Sequence, residues 1–363
     1  MTSMTDLQRL EKMVPLLLSW YRAQNRDLPW RRDPKPYHVW LSEIMLQQTR
    51  VEAVKPYYAR FLQALPTIQA LADAPEEHLM KLWEGLGYYS RARSLQKAAR
   101  QVVEQYGGAL PASYEQLLAL PGFGEYTAGA VASIAFGIPV PAVDGNVLRV
   151  VSRLLEDGAD FSKKKEKDRV REMLLQVEPA DAPGDLNQAI MELGAMVCLP
   201  NGAPRCLKCP LREICKAGQA GSTGDYPYKP PKKPRRVEER TVLLVRRGEE
   251  LLLHRRPAKG LLAGLWELPA LEGRADAAGA GQWLLEELGL SAASWEPLAP
   301  AKHIFSHVEW RMTGWAVTLS EGASAQLPEG YVWTGREQRQ KDYALPSAFA
   351  PFLKGEQKEE RQA

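Results

Sequence analysis

The stretch Leu120–Val147 reads LPGFGEYTAGAVASIAFGIPVPAVDGNV, and it predicts a glycine-bracketed turn that opens directly into a helix. Gly122 and Gly124 can each take a positive φ and let another backbone come close where a side chain would clash. The free N–H groups and the positive dipole end of the following helix make such a turn a seat for a phosphate. An extended segment after that helix delivers Asp144 to the start of the next one. The sequence therefore predicts a phosphate-holding hairpin and a positioned carboxylate close together in the chain.

Length and composition limit the possible classes of protein. A chain of 363 residues favours two domains over one. The hydrophobic share of 45% and the charged share of 25% are ordinary for a globular protein, and 47 basic against 44 acidic residues leave too small an excess to indicate nucleic acid. The sequence has no apolar run of membrane-spanning length and no signal-peptide pattern. We therefore expect neither a membrane span nor export.

All four cysteines lie within one short loop, with gaps of seven, two and five residues: Cys198, Cys206, Cys209 and Cys215. A secreted disulfide protein would scatter its cysteines, so this clustering indicates a metal site in a reducing cytoplasm. Four thiolates suit either a tetrahedral zinc ion or an iron–sulfur cluster, and the residues alone leave both open.

A second carboxyl of interest is Glu43, on the predicted helix that carries residues 41–50. Val39 and Leu46 flank it on its own side of the helix. A carboxyl between apolar neighbours has a raised pKa, which a general acid at neutral pH needs. Asp144 is expected to cap its helix and to stay ionised, because a capped carboxylate keeps a low pKa. An acid paired with a carboxylate is the arrangement that glycosidic cleavage uses, although an ordinary surface glutamate at position 43 stays an alternative.

The secondary-structure pattern changes at residues 226–236 (YPYKPPKKPRR), whose four prolines and five basic residues predict a stiff linker. Residues 1–225 before it are predicted to be nearly all helical and include the cysteine loop 198–215. Residues 237–355 after it alternate strands with a helix, as in an α+β domain. The charged tail 356–363 is predicted to be disordered.

Two short segments of the helical part are predicted to be loops. They are residues 28–32, which begin Leu-Pro, and the lysine-rich residues 163–167.

The hairpin LPG-x-G followed closely by Val-Asp-Gly-Asn resembles the helix-hairpin-helix base-excision DNA glycosylases. From about residue 15 to residue 352 the chain resembles the adenine DNA glycosylases of the MutY type. The resemblance implies a mainly α helix-hairpin-helix glycosylase domain with a four-cysteine cluster loop, followed by an α+β Nudix-like domain. It implies an enzyme that flips adenine out of duplex DNA, where adenine is paired with 8-oxoguanine or guanine, and cleaves its N-glycosidic bond. It also implies a monomer in the bacterial cytoplasm that associates with the nucleoid through DNA.

The same resemblance implies a [4Fe–4S] cluster on the cysteine loop. The first gap between cysteines is seven residues here, whereas the family usually has six. A loop that contains Gly202 and two prolines could absorb the extra residue.

Catalytic roles are implied for Glu43, Asp144, Tyr126 and Asn146. Glu43 is expected to protonate N7 of adenine, Asp144 to stabilise the oxocarbenium-like sugar, and the other two to hold the geometry. In related glycosylases that also nick the strand, a lysine at the position of Tyr126 forms a Schiff base with the sugar. Since neither Tyr126 nor its flanking residues supply an amine, the sequence predicts a monofunctional glycosylase without lyase chemistry.

Substrate or DNA contacts are implied for Trp30, Arg31, Leu46, Gln48, Thr49, Leu86, Tyr88, Gly122, Gly124, Gln188, Ser306 and His307. Among these, the Gln47–Thr49 tip and the Leu86–Tyr88 turn resemble wedges that fill the gap left by a flipped base. Trp30, Arg31 and Gln188 match positions that line the adenine pocket.

The C-terminal part carries a damaged Nudix pyrophosphatase box. Leu285–Leu290 resembles the end of the box, but Gln282, Trp283 and Ala270 stand where its Arg and two Glu are needed. Because Mg²⁺ needs those carboxylates, we expect the fold without the hydrolytic site. The domain resembles a lesion-reading domain in which Phe305–His307 matches the loop that contacts 8-oxoguanine. The serine hydroxyl of this loop can both donate and accept, which suits telling 8-oxoguanine from guanine.

Three alternatives stay open at this level. A pyrimidine-damage glycosylase with lyase activity would nick DNA without alkali, and the missing lysine disfavours it. A zinc-dependent DNA-binding module without catalysis would be colourless. A nucleotide pyrophosphatase is disfavoured by the damaged box.

Overall fold

The computed structural model describes residues 4–231, 234–320 and 326–354. The chain divides into two compact units, of which unit 1 comprises Met1–Asp73 and Arg93–Lys232 and unit 2 comprises Ala74–Ala92 and Lys233–Ala363. The domain boundaries expected at residues 225, 236 and 355 stay predictions. The predicted tail 356–363 and linker residues Lys232 and Lys233 lie outside the described residues.

The α-helices are α1 Asp6–Gln24, α2 Pro29–Arg32, α3 Pro36–Leu46, α4 Val51–Ala64, α5 Ile68–Asp73, α6 Glu76–Trp83, α7 Ser90–Tyr106, α8 Tyr114–Leu118, α9 Glu125–Phe136, α10 Gly145–Leu155, α11 Lys164–Leu175, α12 Pro183–Met196, α13 Lys216–Ala220, α14 Ala277–Leu288, α15 Arg336–Asp342 and α16 Ala350–Leu353. The strands are β1 Arg236–Arg247, β2 Glu250–Arg255, β3 Trp266–Glu267, β4 Ala270–Glu272, β5 Ala292–Ile304, β6 Val308–Leu319 and β7 Tyr331–Thr334. Among the helices of the described residues, none combines the length and the apolar character that crossing a bilayer requires.

One core of unit 1 forms where α1, α10 and α12 pack together. Each helix contributes apolar side chains at helical spacing, such as Leu10, Met13 and Leu17 of α1, which are fully buried. Leu211 and Ile214 of the cysteine loop insert into the same core. The cysteine loop is therefore anchored to the helices that frame the candidate site.

Gly129 allows residues 140–142, which precede Asp144, to lie close to α9. A Cβ atom on Gly129 of α9 would come 2.6 Å from the carbonyl oxygen of Pro141. Asn187 of α12 holds the other side of this segment, since its Oδ1 accepts from the N–H of Ala142 at 2.7 Å and its Nδ2 donates to the oxygen of Val140 at 3.0 Å. The backbone that delivers Asp144 is thus fixed by packing and by hydrogen bonds.

Both predicted loops of the helical part are wrong. Residues 29–32 form α2, which starts with proline at its first position, where the missing N–H costs nothing. The lysine-rich residues from Lys164 onward begin α11, whose buried Val170 and Leu174 provide an apolar face four residues apart. The Lys164 ammonium pairs with Glu125 and with Asp168, which offsets the local repulsion among lysines.

Unit 2 contains one mixed sheet in the order β3-β2-β1-β6-β5, while β4 pairs with β1 and β7 with β2. β1 and β6 run parallel over a long register, and the other strand pairs are antiparallel. In β1, Val242 and Leu244 face one core, whereas Leu243 and Val245 face a second core that α14 covers. Both faces of the central strand are therefore buried, as its continuous apolar run requires.

Candidate active site and cysteine loop

Glu43 on α3 and Tyr126 on α9 meet at a cleft of unit 1. Glu43 is only 7% exposed, and its carboxylate accepts a hydrogen bond from the Tyr126 hydroxyl. Burial raises the pKa of Glu43 to about 7, while the hydrogen bond from Tyr126 lowers it and the nearby Asp144 raises it. The predicted rise in this pKa is confirmed. A substantial fraction of Glu43 therefore holds a proton at neutral pH.

The Tyr126 phenol is a fixed hydrogen-bond donor. Burial and the neighbouring carboxylates raise its pKa well above the ordinary value, so the hydroxyl keeps its proton. The oxygen also lies 3.4 Å from the Met191 sulfur.

Asp144 caps α10, as the sequence predicts. Its Oδ1 accepts from the backbone N–H groups of Asn146 and Val147, each at 2.8 Å, and its Oδ2 accepts from Asn146 Nδ2 at 2.6 Å. The expected low pKa is wrong, however. Burial outweighs these hydrogen bonds and the nearby Arg149, so the pKa of Asp144 is raised. The structure holds a carboxylate that is poorly solvated and therefore poised to gain from a developing positive charge.

Asn146 and Arg149 connect the cap to the cysteine loop. Asn146 Oδ1 accepts from Arg149 at 2.7 Å, and the Arg149 Nε donates to the carbonyl oxygen of Cys198 at 2.7 Å. A Cβ atom on Gly194 of α12 would come 2.6 Å from Asn146 Cβ, so this glycine makes room for the asparagine. The sequence did not single out Arg149, because a charged residue in a helix is usually solvated.

A buried carboxylate that the sequence did not indicate organises the expected adenine pocket. Glu192 is 1% exposed and accepts from Arg26 at 2.7 Å and from Arg31 at 2.9 Å. These arginines lower the pKa of Glu192 to about 2 although burial opposes them. Arg31 also donates to Gln188 Oε1 at 3.2 Å, which turns the amide N–H₂ of Gln188 away from Arg31. The sequence carries no local signal for this carboxylate, because its arginine partners lie 166 and 161 residues away in the chain.

The cleft has a volume of about 1210 Å³. It brings together the predicted residues Trp30, Arg31, Glu43, Leu46, Gln48, Thr49, Gly122, Gly124, Tyr126, Asp144, Asn146 and Gln188. Its lining also includes Lys167, an exposed lysine of α11. All of these residues belong to unit 1.

The two hairpin glycines differ from each other. Gly122 has a positive φ of 77°, and a Cβ there would come 2.7 Å from Ser94 Cβ. Gly124 caps α9 with φ −96°, so it does not use the positive φ that is open to a glycine. A Cβ on Gly124 would meet nothing within 4 Å, so the helix start opens onto free space. The predicted seat for a phosphate at this turn is therefore open to solvent.

Two of the predicted wedge residues have a left-handed backbone. Gln48 has φ 55° and Tyr88 has φ 49°, which is uncommon for residues other than glycine. Leu86, in contrast, is only 7% exposed. Strained, exposed residues at tight turns are often functional, and here the strain falls on positions selected from the sequence.

The predicted lesion-reading residues form the turn between β5 and β6 of unit 2. Ser306 and His307 are both exposed, and the N–H of Phe305 donates across the turn to the oxygen of Val308 at 2.8 Å. The Ser306 hydroxyl lies 3.0 Å from the Tyr88 hydroxyl within the same unit. The structure thus brings one predicted wedge residue to one predicted reading residue.

The four cysteines line one cavity of about 30 Å³ together with Arg153. Cys198 Sγ accepts from Arg153 at 3.3 Å, and Cys215 Sγ accepts from the N–H of Gly218 at 3.3 Å. Across the described ranges, no three His, Cys, Asp or Glu side chains have the arrangement of a single-ion site. Four sulfur donors around one cavity, with N–H groups directed at two of them, fit a cluster bound by thiolates.

Known protein families match both the helical part and the sheet part of the chain. A model described as the HhH-GPD superfamily base excision DNA repair protein matches residues 41–176, and a NUDIX domain model matches residues 241–355. The adenine DNA glycosylase of Homo sapiens is 38% identical over 89% of this chain and 70% of its own length. That of Schizosaccharomyces pombe is 33% identical over 84% of this chain and 81% of its own.

A solved thermostable thymine-DNA glycosylase superposes with a TM-score of 0.52 at 28% identity, covering 59% of this chain and 98% of that chain. A trapped endonuclease III–DNA covalent intermediate superposes with the same TM-score at 24% identity and shares the fold.

The hairpin, the helical fold and the matching family model define a base-excision DNA glycosylase of the helix-hairpin-helix superfamily. From its identity with curated relatives over most of its length, the chain belongs to the adenine DNA glycosylase family. The expected enzyme class, the base excision repair function and the pairing of a helical domain with a Nudix-like α+β domain are confirmed. DNA is the partner on which its relatives act.

Proposed function

We propose that the protein removes adenine mispaired with 8-oxoguanine, and also with guanine, from duplex DNA by hydrolysis and without lyase chemistry. The observation that carries this proposal is the pair Glu43 and Asp144 in one cleft, where burial raises the pKa of both carboxyl groups. Tyr126 occupies the position at which a lyase would place its lysine, and its buried phenol is not a nucleophilic amine.

In the proposed reaction the Glu43 carboxyl donates its proton to N7 of a flipped adenine. The C1′–N9 bond then breaks, its electron pair leaves with the base, and positive charge develops on the sugar. Asp144, held by two backbone N–H groups, has its charge directed at that cation. A water molecule adds to C1′ and gives its proton to the Glu43 carboxylate, which restores the starting state.

The pocket around Arg31 supports recognition of a base that presents acceptors. The Glu192 carboxylate fixes Arg31, and Arg31 in turn engages the oxygen of Gln188. The amide N–H₂ of Gln188 is then a donor available to a base. Adenine offers ring nitrogen acceptors to such a donor.

The cysteine loop would hold a [4Fe–4S] cluster through Cys198, Cys206, Cys209 and Cys215. Burial raises the pKa of the Cys209 thiol to about 12 and raises that of Cys215, so these thiols are neutral without metal. Bound iron would supply the positive charge that makes the thiolates stable. The brown colour and absorbance near 400 nm of an iron–sulfur protein would distinguish the cluster from zinc.

The test is single-turnover cleavage of matched duplexes that place adenine opposite 8-oxoguanine, guanine, cytosine or thymine, with and without hot alkali. We expect breaks at adenine that need alkali and form fastest opposite 8-oxoguanine. Breaks without alkali would overturn the monofunctional assignment, and the Lys167→Ala variant would then identify whether the cleft lysine is responsible. An absence of breaks on every duplex would overturn the proposed activity.

A further inference from the structure

Among the described residues, a buried arginine beside the cysteine cavity has no acidic partner. Arg153 of α10 is 4% exposed. Its guanidinium donates to the carbonyl oxygens of Leu199, Thr223 and Tyr226 at 2.8 to 3.0 Å and to Cys198 Sγ at 3.3 Å. Within the described part of the chain it forms no ion pair with a carboxylate. A buried cation without an anion is costly, so the missing counter-charge needs an explanation.

The neighbouring charges make the imbalance larger. Arg149 precedes Arg153 by one helical turn on α10 and is also buried, at 8% exposure. Like charges at this spacing repel each other. Carbonyl oxygens satisfy the N–H groups of both arginines but do not neutralise their charge. Asp144 lies near Arg149, whereas Arg153 has no carboxylate at ion-pair distance among the described residues. An anion that neutralises Arg153 therefore has its place in the cavity that Arg153 lines with the four cysteines.

Thiolates bound to a metal centre in this cavity can supply that anion. A doubly positive cluster core bound by four thiolates is a dianion. Hydrogen bonds to the sulfur atoms and nearby positive charge both stabilise the more negative, reduced form of such a centre, and so raise its reduction potential. Arg153 provides both effects through one guanidinium.

We propose that Arg153 is the buried counter-charge of the cysteine-bound cluster. The charge of Arg153 and its N–H···S bond to Cys198 raise the reduction potential of the cluster. The proposal rests on the proposed cluster. The couple concerned is the one-electron oxidation of the dianionic centre to the monoanion, in which an electrode accepts the electron.

The chain offers a matched control for the loss of charge. Arg212 lines the same cavity but is exposed, so water screens its charge. Arg153→Met and Arg212→Met remove the same charge from the interior and from the surface. Arg153→Lys keeps the charge but loses the planar fork.

The experiment measures iron content, absorbance near 400 nm and the reduction potential of the full-length protein adsorbed on an electrode, for the parent and the three variants. We expect Arg153→Met to lower the potential about four times as much as Arg212→Met, the ratio between effective dielectric constants of about 80 and about 20. Arg153→Lys is expected to give an intermediate potential.

Equal potentials in Arg153→Met and Arg212→Met at equal iron content would overturn the proposal. If Arg153→Met loses its iron while Arg153→Lys and Arg212→Met keep theirs, the requirement for charge is supported. If Arg153→Lys also loses iron while still folded, the shape of the fork rather than its charge is needed, and the proposal is wrong. A parent protein without iron would instead refute the cluster itself, independently of whether it releases adenine.

Discussion

At the residue scale, burial and a hydrogen bond act on the pKa of Glu43 in opposite directions. Burial in unit 1 raises its pKa, while the Tyr126 hydroxyl stabilises the ionised form and lowers it. The result, a pKa of about 7, lies near the pH at which a general acid works best. Neither burial nor the Tyr126 hydrogen bond alone would give a pKa of about 7.

We expect the Tyr126→Phe variant to shift the pH dependence of adenine release upward. Removing the hydroxyl removes the contact that lowers the Glu43 pKa, so the protonated acid persists to higher pH. The descending limb of the single-turnover rate, centred near pH 7 in the parent, should move above it. Tyr37→Phe is the control, because Tyr37 lies on α3 together with Glu43 but its buried hydroxyl donates to the oxygen of Leu65. A downward shift would contradict this account.

We expect Glu43→Gln to abolish adenine release while binding to the uncleaved duplex is retained.

The Glu43→Gln change should also stabilise the fold at pH 8. A carboxyl whose folded pKa is raised contributes its stability at low pH and loses it as pH rises through about 7, and the amide has no such loss. The gain at pH 8 should reach at most about 3 kcal/mol. Denaturant melts at pH 5 and pH 8 would measure it, and a gain that is equal at both pH values would be inconsistent with this cause.

Ser306→Ala should reduce the preference for adenine opposite 8-oxoguanine over adenine opposite guanine. The loss of one hydroxyl hydrogen bond corresponds to about a tenfold change in the ratio of the two rates. Ser294→Ala, an exposed serine on β5, is the control. An unchanged ratio would remove Ser306 from the reading of the lesion.

At the element scale, the position of Asp144 depends on how closely α9, α12 and residues 140–142 pack. Gly129 allows the Pro141 carbonyl to approach α9, and Asn187 bonds the segment from the other side. The cap of α10 is therefore held by elements that precede and follow it in the chain.

Gly129→Ala should destabilise unit 1 and slow adenine release. The added methyl would lie 2.6 Å from the Pro141 oxygen, so the backbone ahead of Asp144 has to move. Overpacking of this kind costs about 1–3 kcal/mol. Gly224→Ala serves as the control, since a Cβ there meets nothing within 4 Å. Thermal melts and single-turnover rates would measure both effects, and equal behaviour of the two variants would refute the close contact.

The sequence predicted those elements whose boundaries are set by local chemistry. Asp144 starts α10, as predicted from the residues alone, and Gly137 ends α9 in a left-handed conformation. The edge strand β5 escaped prediction, because Pro297 and Pro300 interrupt it and most of its side chains are exposed.

In the candidate site, too, the residues predicted from the sequence are those that local patterns mark. The proposed catalytic carboxyls, Glu43 and Asp144, were predicted from motif and spacing. Glu192, Arg149 and Arg153 were missed because only their tertiary contacts show that these charged residues are buried. The grouping of residues 74–92 with unit 2 likewise depends on contacts distant in sequence.

At the scale of the whole molecule, one of the described core clusters lies in unit 1 and two lie in unit 2. Cys198, Cys209 and Cys215 pack against the core that α1, α10 and α12 build in unit 1. The cores of unit 2 lie on the two faces of its sheet and involve none of these cysteines among the residues described.

Removing iron should therefore lower the melting temperature of the helical unit and leave that of the sheet unit unchanged. Scanning calorimetry of the full-length protein, before and after treatment with a chelator and a reductant, would measure the two transitions. The Arg212→Met variant with its iron retained is the control. A single transition that shifts as a whole would show that the units do not unfold independently.

The parallel pairing of β1 with β6 has a consequence for synthesis on the ribosome. β1 leaves the exit tunnel first, yet its longest partner is β6, whose register opposite β1 runs from Val308 to Thr318. Until β6 emerges, the apolar run of β1 can pair only with the strands translated in between. The sheet therefore stays incomplete until β6 has been synthesised. During this interval the apolar strand β1 is exposed and open to binding by a chaperone.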